Sequence, residues 1–578
     1  MPAHNTPRPG GNDGAGDPVA TPVVTSSRAQ HGRRLRRAGA AITAGGVAIA
    51  LIAACSGETT SSSSEGSSNG ADSIVEAVAA LPTAFAYDAG AFTYEGFEFQ
   101  INTQAQLIRN PIVTADRADG SQEQDFFKFE GELAESYDVS ADGLTYTFHL
   151  RKGVKSFAGN ELTADDVLWS YERKWNSTSV APAISAPAIT DPAKQFKKID
   201  DYTVSITIDR AGDGFTLLSL LANVSGDIFD SDLLKQHVTT DDPYAVKWSA
   251  ENGNFGYGAY VLDNWKSGQS LTLKANPNYW AGEPAIKTIT QRVVANPGTR
   301  TNLLTNGDAD IAVQLRPQDV NGMKDDDGLQ TFNIDSIEYL NTNINIMKAP
   351  FDDKLVRQAL SYAIPYDEIM KQVFLGRADA MTGFINPRYP GYTTDGLRTG
   401  SYDPDKAKSL LAQAGVSSVS AKILVENSIP ALEEAAVQIQ SYAKDAGFNF
   451  TIDKQPATAV QDQRSNGTYD IQLVTDKAIS QSPPYELLLA FTKGSPLNAT
   501  GFANDAYYAA VDKGVAAGDP LSEAAGTAWN EAVKIWQDEQ PTVPVAFIQP
   551  NVVFGAGIDG YYYRSDSAID FAALSKTQ

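Results

Sequence analysis

The sequence predicts an α/β protein, and three stretches lead to that class. Leu144-Thr145-Tyr146-Thr147-Phe148-His149-Leu150 alternates, placing Leu144, Tyr146, Phe148 and Leu150 on one face of a strand and His149 on the other. Residues 201–209 alternate in the same way, with Tyr202, Val204, Ile206 and Ile208 together. Farther on, residues 402–415 form a helix with Asp403 at the N-cap, Pro404 behind it and Gly415 as the stop. Strand 421–426, helix 431–446 and strand 448–453 follow. Such alternation argues a lobe with parallel strands.

The remaining elements follow in chain order. Phe97-Glu98-Phe99-Gln100-Ile101-Asn102 alternates as a half-buried strand. Thr163-Ala164-Asp165-Asp166 has the form of a capping box, and Val167, Leu168 and Tyr171 then recur at helical spacing. Trp169 and Trp175 are accordingly packing residues. Gly256-Tyr257-Gly258 is not a dinucleotide fingerprint, because Val261 occupies the third glycine's place. Leu271-Thr272-Leu273 is a short strand. Asp352 starts a helix with Leu355, Val356, Ala359, Leu360 and Ala363 on its apolar side. A helix over 524–538 leads into Pro541-Thr542-Val543-Pro544-Val545-Ala546-Phe547-Ile548, a strand limited by proline.

The beginning of the chain reads differently. Arg33-Arg34-Leu35-Arg36-Arg37 precedes the uncharged stretch 38–54, and the single cysteine of the sequence, Cys55, follows at once. A basic region, an apolar core and small residues before a cleavage point make an export signal. Ile52-Ala53-Ala54-Cys55 resembles a bacterial lipobox, which implies that Cys55 is lipidated and becomes the mature N-terminus. Residues 56–71, rich in Ser, Gly and Thr, have no apolar side chain larger than Ala and read as a flexible tether. The expectation is an extracytoplasmic protein held by lipid to the outer face of the cell membrane.

Composition narrows the function. The chain carries a net charge of −24, and the leader's six Arg and two Asp leave −28 on the remainder. That balance excludes nucleic acid as a partner, since phosphate binding needs concentrated Lys and Arg. Beyond the leader only His149 and His237 remain, and no H-E-x-x-H, G-x-S-x-G or phosphate loop occurs. A secreted hydrolase is the rival class, yet no spacing singles out a carboxylate pair. No enzyme activity, metal or cofactor is expected.

The most informative interior strand is 339–346. Tyr339, Asn341, Asn343 and Asn345 share one face, and Leu340, Thr342, Ile344 and Ile346 the other. One apolar face and a row of amides suits either a solvent-facing edge or a cleft wall offering donors and acceptors to a polar ligand.

Several segments, in order, resemble the family 5 extracellular solute-binding proteins of ABC importers, the oligopeptide, dipeptide, nickel and opine group. They are Leu133-Ala134-Glu135-Ser136 with Asp142 to Val154 and Thr163 to Val167; Leu271-Thr272-Leu273-Lys274-Ala275-Asn276-Pro277-Asn278-Tyr279-Trp280 with Gly307-Asp308-Ala309-Asp310-Ile311; Ala349-Pro350-Phe351-Asp352-Asp353 with 356–364; and the helix over 403–415. The resemblance implies a two-lobed periplasmic-binding-protein fold (type II, cluster C) with a small extra domain. Residues 72–114, 201–335 and 544–578 would form lobe 1, 115–200 the extra domain and 336–543 lobe 2. Crossings would lie near 333–338 and 542–546. A monomer would close over a small solute, foremost a di- or oligopeptide, and hand it to permease subunits. An opine, an oligosaccharide, a chelated metal, or a sensing role are the alternatives.

One departure bears on the ligand. Peptide binders of this family usually carry an Asp after a Tyr/Phe-Asp strand, where it pairs with the peptide's amino group. Here Tyr469-Asp470-Ile471-Gln472-Leu473-Val474 runs into Thr475-Asp476-Lys477-Ala478-Ile479-Ser480-Gln481-Ser482-Pro483-Pro484, without the usual Asp-Pro pair or Trp. Asp476 and Gln481 are therefore the candidates from this stretch. Tyr339, Asn341 and Asn343 are candidates from the strand pattern, and Tyr257 and Tyr260 from their place in the first lobe.

Overall fold

The computed structural model describes residues 70–90, 93–115, 120–177 and 181–577. Residues Gly66–Gln578 form a compact unit by themselves. Cys55, the export signal and most of the tether lie outside the described residues.

The first lobe is built on a seven-stranded sheet. Its spatial order is Tyr260–Lys266, Ser270–Ala275, Thr288–Val293, Ser73–Val78, Ile311–Ala312, Val553–Gly555, Leu329–Thr331. Ser73–Val78 lies at the centre, parallel to the strands on both sides, and is buried on both faces after its first residue. That explains its nearly unbroken apolar sequence, interrupted only by Glu76. A four-stranded antiparallel sheet stands beside it, in the order Ala134–Val139, Thr145–Leu150, Thr203–Thr207, Phe196–Asp200. Tyr146, Phe148, Leu150, Val204 and Ile206 bury one face of it against helix Ala164–Asn176. The helix opens with the capping box expected of Thr163 and Asp166. From its buried side Arg173 reaches Asp88, Nε to Oδ2 2.7 Å, with both side chains shut off from water.

The second lobe has a six-stranded sheet in the order Ala378–Ala380, Thr542–Ile548, Glu338–Ile344, Ile471–Lys477, Val419–Glu426, Phe448–Gln455. Parallel pairing holds for Val419–Glu426 with Phe448–Gln455 and with Ile471–Lys477; the other pairs are antiparallel. Leu340, Ile344, Ile471, Leu473, Val543 and Val545 face a core shared with helices Lys354–Ala363 and Pro430–Ala443.

Three expectations are corrected. Residues 97–102 belong to helix Tyr94–Thr103, whose N-cap Thr93 accepts from the Gly96 N–H. Their alternation is incidental, since Glu98, Gln100 and Asn102 are buried too. The extra sheet takes in Thr203–Thr207 and so runs past residue 200. Thr542–Ile548 pairs on both sides within the second sheet, so the return to the first lobe comes after Ile548, not near 544.

Two connections thus join the sheets: Phe332 to Ile337, and Gln549 to Val552. Arg377 holds both. Its Nη2 donates to Phe332 O at 3.1 Å and to Pro550 O at 2.9 Å, and its Nε to Asn551 Oδ1 at 3.3 Å. Burial pushes this guanidinium down to about 10, and the fixed fork of donors suits a site lined by carbonyl oxygens.

Candidate functional site

The two lobes meet along a polar seam. On one side lie turn Ala211–Asp213 and helix Gly214–Leu221, and on the other the segment 478–486, which follows strand Ile471–Lys477. Thr216 Oγ1 and Ser482 Oγ are 2.6 Å apart, and Ser480 Oγ donates to Ser219 Oγ at 2.8 Å. Asn223 Nδ2 donates to Ile479 O at 3.2 Å. Two ion pairs flank this contact, Arg388 with Glu123 and Arg210 with Asp512, at 2.8 and 2.9 Å. The apolar part of the seam is aromatic: Tyr389 meets Phe127 and Phe215 edge-on, with ring centroids 5.5 and 5.4 Å apart.

Strand Ile471–Lys477, which leads into this segment, pairs with Glu338–Ile344. Asp476 and Tyr339 face each other across the pairing of Glu338–Ile344 with Ile471–Lys477. Asp476 is exposed, yet burial pushes its carboxyl up against the lowering effect of the Lys477 N–H, which donates to Oδ1 at 2.8 Å. Glu338, half-buried, behaves alike: burial raises it and Lys477 draws it down. Lys477 extends toward the first lobe, where its Nζ lies 5.7 Å from the ring centres of Tyr94 and Phe97. Asp476 and Tyr339 thus share one face of the paired strands, and Glu338 and Lys477 the other.

The candidates drawn from sequence separate here. Tyr339, half-buried, and the exposed Asp476 are neighbours across the paired strands. Asn341 is 3% exposed, its Nδ2 bonded to Asn343 Oδ1 at 2.9 Å. Phe384 roofs this face, with its ring 5.2 Å from Tyr339 and 5.1 Å from Trp536. Asn345 is buried as well, while Asn343 and Tyr339 are half-buried. Gln481 is buried and braces its own segment: Nε2 donates to Ala478 O at 2.8 Å and Oε1 accepts from Asn386 at 3.1 Å. Tyr260 belongs to the first-lobe core, its hydroxyl donating to Ile286 O and Phe571 O at 3.0 and 3.1 Å. Tyr257 is fully buried in the neighbouring core. Its flanking glycines permit close approach, since a Cβ at Gly256 would lie 2.4 Å from Thr103 O.

Glu486 was not foreshadowed. An acid in the first turn of a short helix reads as a solvated residue, but here it is 6% exposed at the seam. Arg388 and Tyr389, which join the two sides, carry no motif either. Among the described residues no group of three or more His, Cys, Asp and Glu comes together to hold a metal ion, and no helix is long and apolar enough to cross a membrane.

Comparison with known proteins follows the geometry. Residues 128–498 match the model of the bacterial extracellular solute-binding proteins, family 5 Middle. The chain is 30% identical to heme-binding protein A of Haemophilus influenzae over 389 residues, covering 64% of this chain and 67% of that one. It is 28% identical to di/tripeptide-binding protein 2 of Pseudomonas aeruginosa over 467 residues, 76% and 85% of the two chains. Among solved structures, the periplasmic binding protein DppA of Helicobacter pylori, in complex with the peptide STSA, superposes with a TM-score of 0.76 at 22% identity, covering 88% of this chain and 98% of that one. The architecture is that of the two-lobed periplasmic binding proteins.

Proposed function

Because the chain belongs to the family 5 bacterial extracellular solute-binding proteins, we propose that it is the substrate-binding component of an ABC importer that captures a peptide between its lobes. The observation that carries the choice of peptide is Asp476. It is exposed on the strand that runs into the seam, paired across the sheet with Tyr339, and no Lys, Arg or His among the described residues is in ion-pair contact with it, Arg464 and Lys477 acting on it only from farther off. An ammonium group entering there gains a carboxylate that protein already surrounds, where attraction is stronger than in water. The di/tripeptide-binding relative and the peptide-bound structural neighbour support the same ligand class. Contacts made across the seam form only when the lobes are together, so a ligand that bridges them favours the closed form. Lipidated Cys55 and the tether behind it would stand the lobes off the outer face of the membrane, where permease subunits take over the solute.

Thermal unfolding of the chain from Gly66 onward tests this. Di- to pentapeptides with a free amino group are expected to raise the midpoint, because a ligand at 100 times its Kd adds about 2.7 kcal/mol. N-acetylated peptides and the Asp476→Asn variant are expected to lose most of that rise. An opine, sugar or nickel chelate that stabilises the protein when no peptide does would replace the peptide reading.

A further inference from the structure

We propose that Arg388 is the residue that holds the lobes closed, and that Asn386 and Gln481 are positioning residues that tie its ion pair with Glu123 to the strand bearing Asp476. This rests on the reading above of a peptide captured between the lobes, and assigns how the closed form is held.

Arg388 belongs to the second lobe and reaches out of it. Its Nη1 donates to Glu123 Oε1 at 2.8 Å, and its guanidinium carbon lies 5.9 Å from the centre of the Phe126 ring. Both partners stand on the first-lobe side. Glu123 lies in strand Gln122–Gln124, which pairs with Tyr562–Tyr563 near the end of the chain. Phe126 shares a cluster with Ile334 and Ile337 of the first connection between the lobes, and its ring meets Tyr563 edge-on at 6.1 Å. One side chain of the second lobe thus grips the first-lobe side next to the hinge. Of the pair, 39% of the Arg388 side chain is exposed but only 10% of that of Glu123. Two charges so placed attract more strongly than hydrated ones, and they do so only while the lobes are together.

The backbone of Arg388 is fastened to the strand of Asp476 by an unbroken row of hydrogen bonds. Asp476 is the penultimate residue of strand Ile471–Lys477, and Ala478 follows the strand directly. Gln481 Nε2 donates to Ala478 O at 2.8 Å, Asn386 Nδ2 to Gln481 Oε1 at 3.1 Å, and the Arg388 N–H to Asn386 Oδ1 at 2.9 Å. Gln481 and Asn386 are 2% and 3% exposed, so neither amide trades these partners for water. The same segment carries Ser480 and Ser482, docked on Ser219 and Thr216. A ligand that settles the end of the strand at Asp476 therefore settles Arg388 as well, and the ion pair forms with less freedom left to lose. Contiguous hydrogen-bonded groups of this kind are what carry coupling between sites.

The test is calorimetric titration of the chain from Gly66 onward with Ala-Ala-Ala, beside urea unfolding and small-angle scattering of the ligand-free chain. Arg388→Gln is expected to weaken binding about tenfold while the urea midpoint stays in place, and Arg388→Lys to recover part of the loss. Gln481→Met removes the amide and keeps the volume. It is expected to weaken binding in the parent chain but to add little in Arg388→Gln, because both act through one ion pair. An Arg388→Gln affinity within about twofold of the parent overturns the closing role. Losses that simply multiply in the double variant overturn the positioning role. If no peptide binds the parent chain, the peptide reading fails by itself, and scattering decides the rest. Arg388→Gln is expected to show a larger radius of gyration than the parent, and equal radii overturn the closing role without reference to any ligand.

Discussion

Ser480 Oγ donates to Ser219 Oγ across 2.8 Å, and each residue belongs to a different lobe. The bond is buried and has company in Thr216 with Ser482 and Asn223 with Ile479 O. Small hydroxyl side chains at such a seam make contact without burying charge, so the lobes can part and meet again at little cost in desolvation.

Gly212 approaches the far lobe more closely than any side chain would allow. A Cβ there would stand 1.9 Å from Val515 O, the last residue of helix Asp505–Val515. Gly212→Ala is expected to prop the seam open, weakening peptide binding about tenfold or more. The urea midpoint should move little, because each lobe keeps its own core. Titration calorimetry beside urea unfolding separates the two effects.

Arg377 ties together the two connections between the lobes through Phe332 O, Pro550 O and Asn551 Oδ1. Arg377→Met keeps the aliphatic volume and removes every donor. With a charged donor contributing about 1.5–3 kcal/mol per bond, loss of the two carbonyl bonds is expected to cost about 3–6 kcal/mol of unfolding free energy in urea. Peptide affinity should fall as well, because the hinge no longer has a fixed geometry.

Glu76 and Glu98 share the first-lobe core, and Gln291 Nε2 donates to both, at 2.9 and 2.7 Å. Burial raises Glu76 to about 7, from 4.5, and Glu98 well above its usual range. A raised folded-state value means that the stabilisation is fully present below the unfolded value near 4.5 and is lost as pH rises through about 7. The melting temperature is therefore expected to fall between pH 5.5 and 8. Glu76→Gln, neutral throughout, should flatten that slope; an unchanged slope would place the linkage elsewhere.

Much of the fold was legible because local rules and burial agreed. The Thr163–Asp166 capping box, the Asp403-Pro404 helix start and the alternation of 144–150 each stand as read. Residues 97–102 misled because a helix buried on nearly all sides carries no solvent face to set its period. Of the residues singled out for the ligand, Tyr339 and Asp476 prove to be neighbours across paired strands, while Asn341 is buried. Glu486 gave no signal, because an acid in the first turn of a short helix reads as solvated, and its burial comes from tertiary packing.

The clamshell itself can be tested with a bond. Cys55 is the only cysteine of the sequence, so Ser219→Cys with Ser480→Cys in the chain from Gly66 onward places one thiol on each side of the seam. If the ligand enters between the lobes, oxidation before peptide is added abolishes binding, oxidation afterwards traps the peptide through dialysis, and reduction restores exchange. Peptide that binds and leaves the oxidised protein as freely as the reduced one would contradict capture between the lobes.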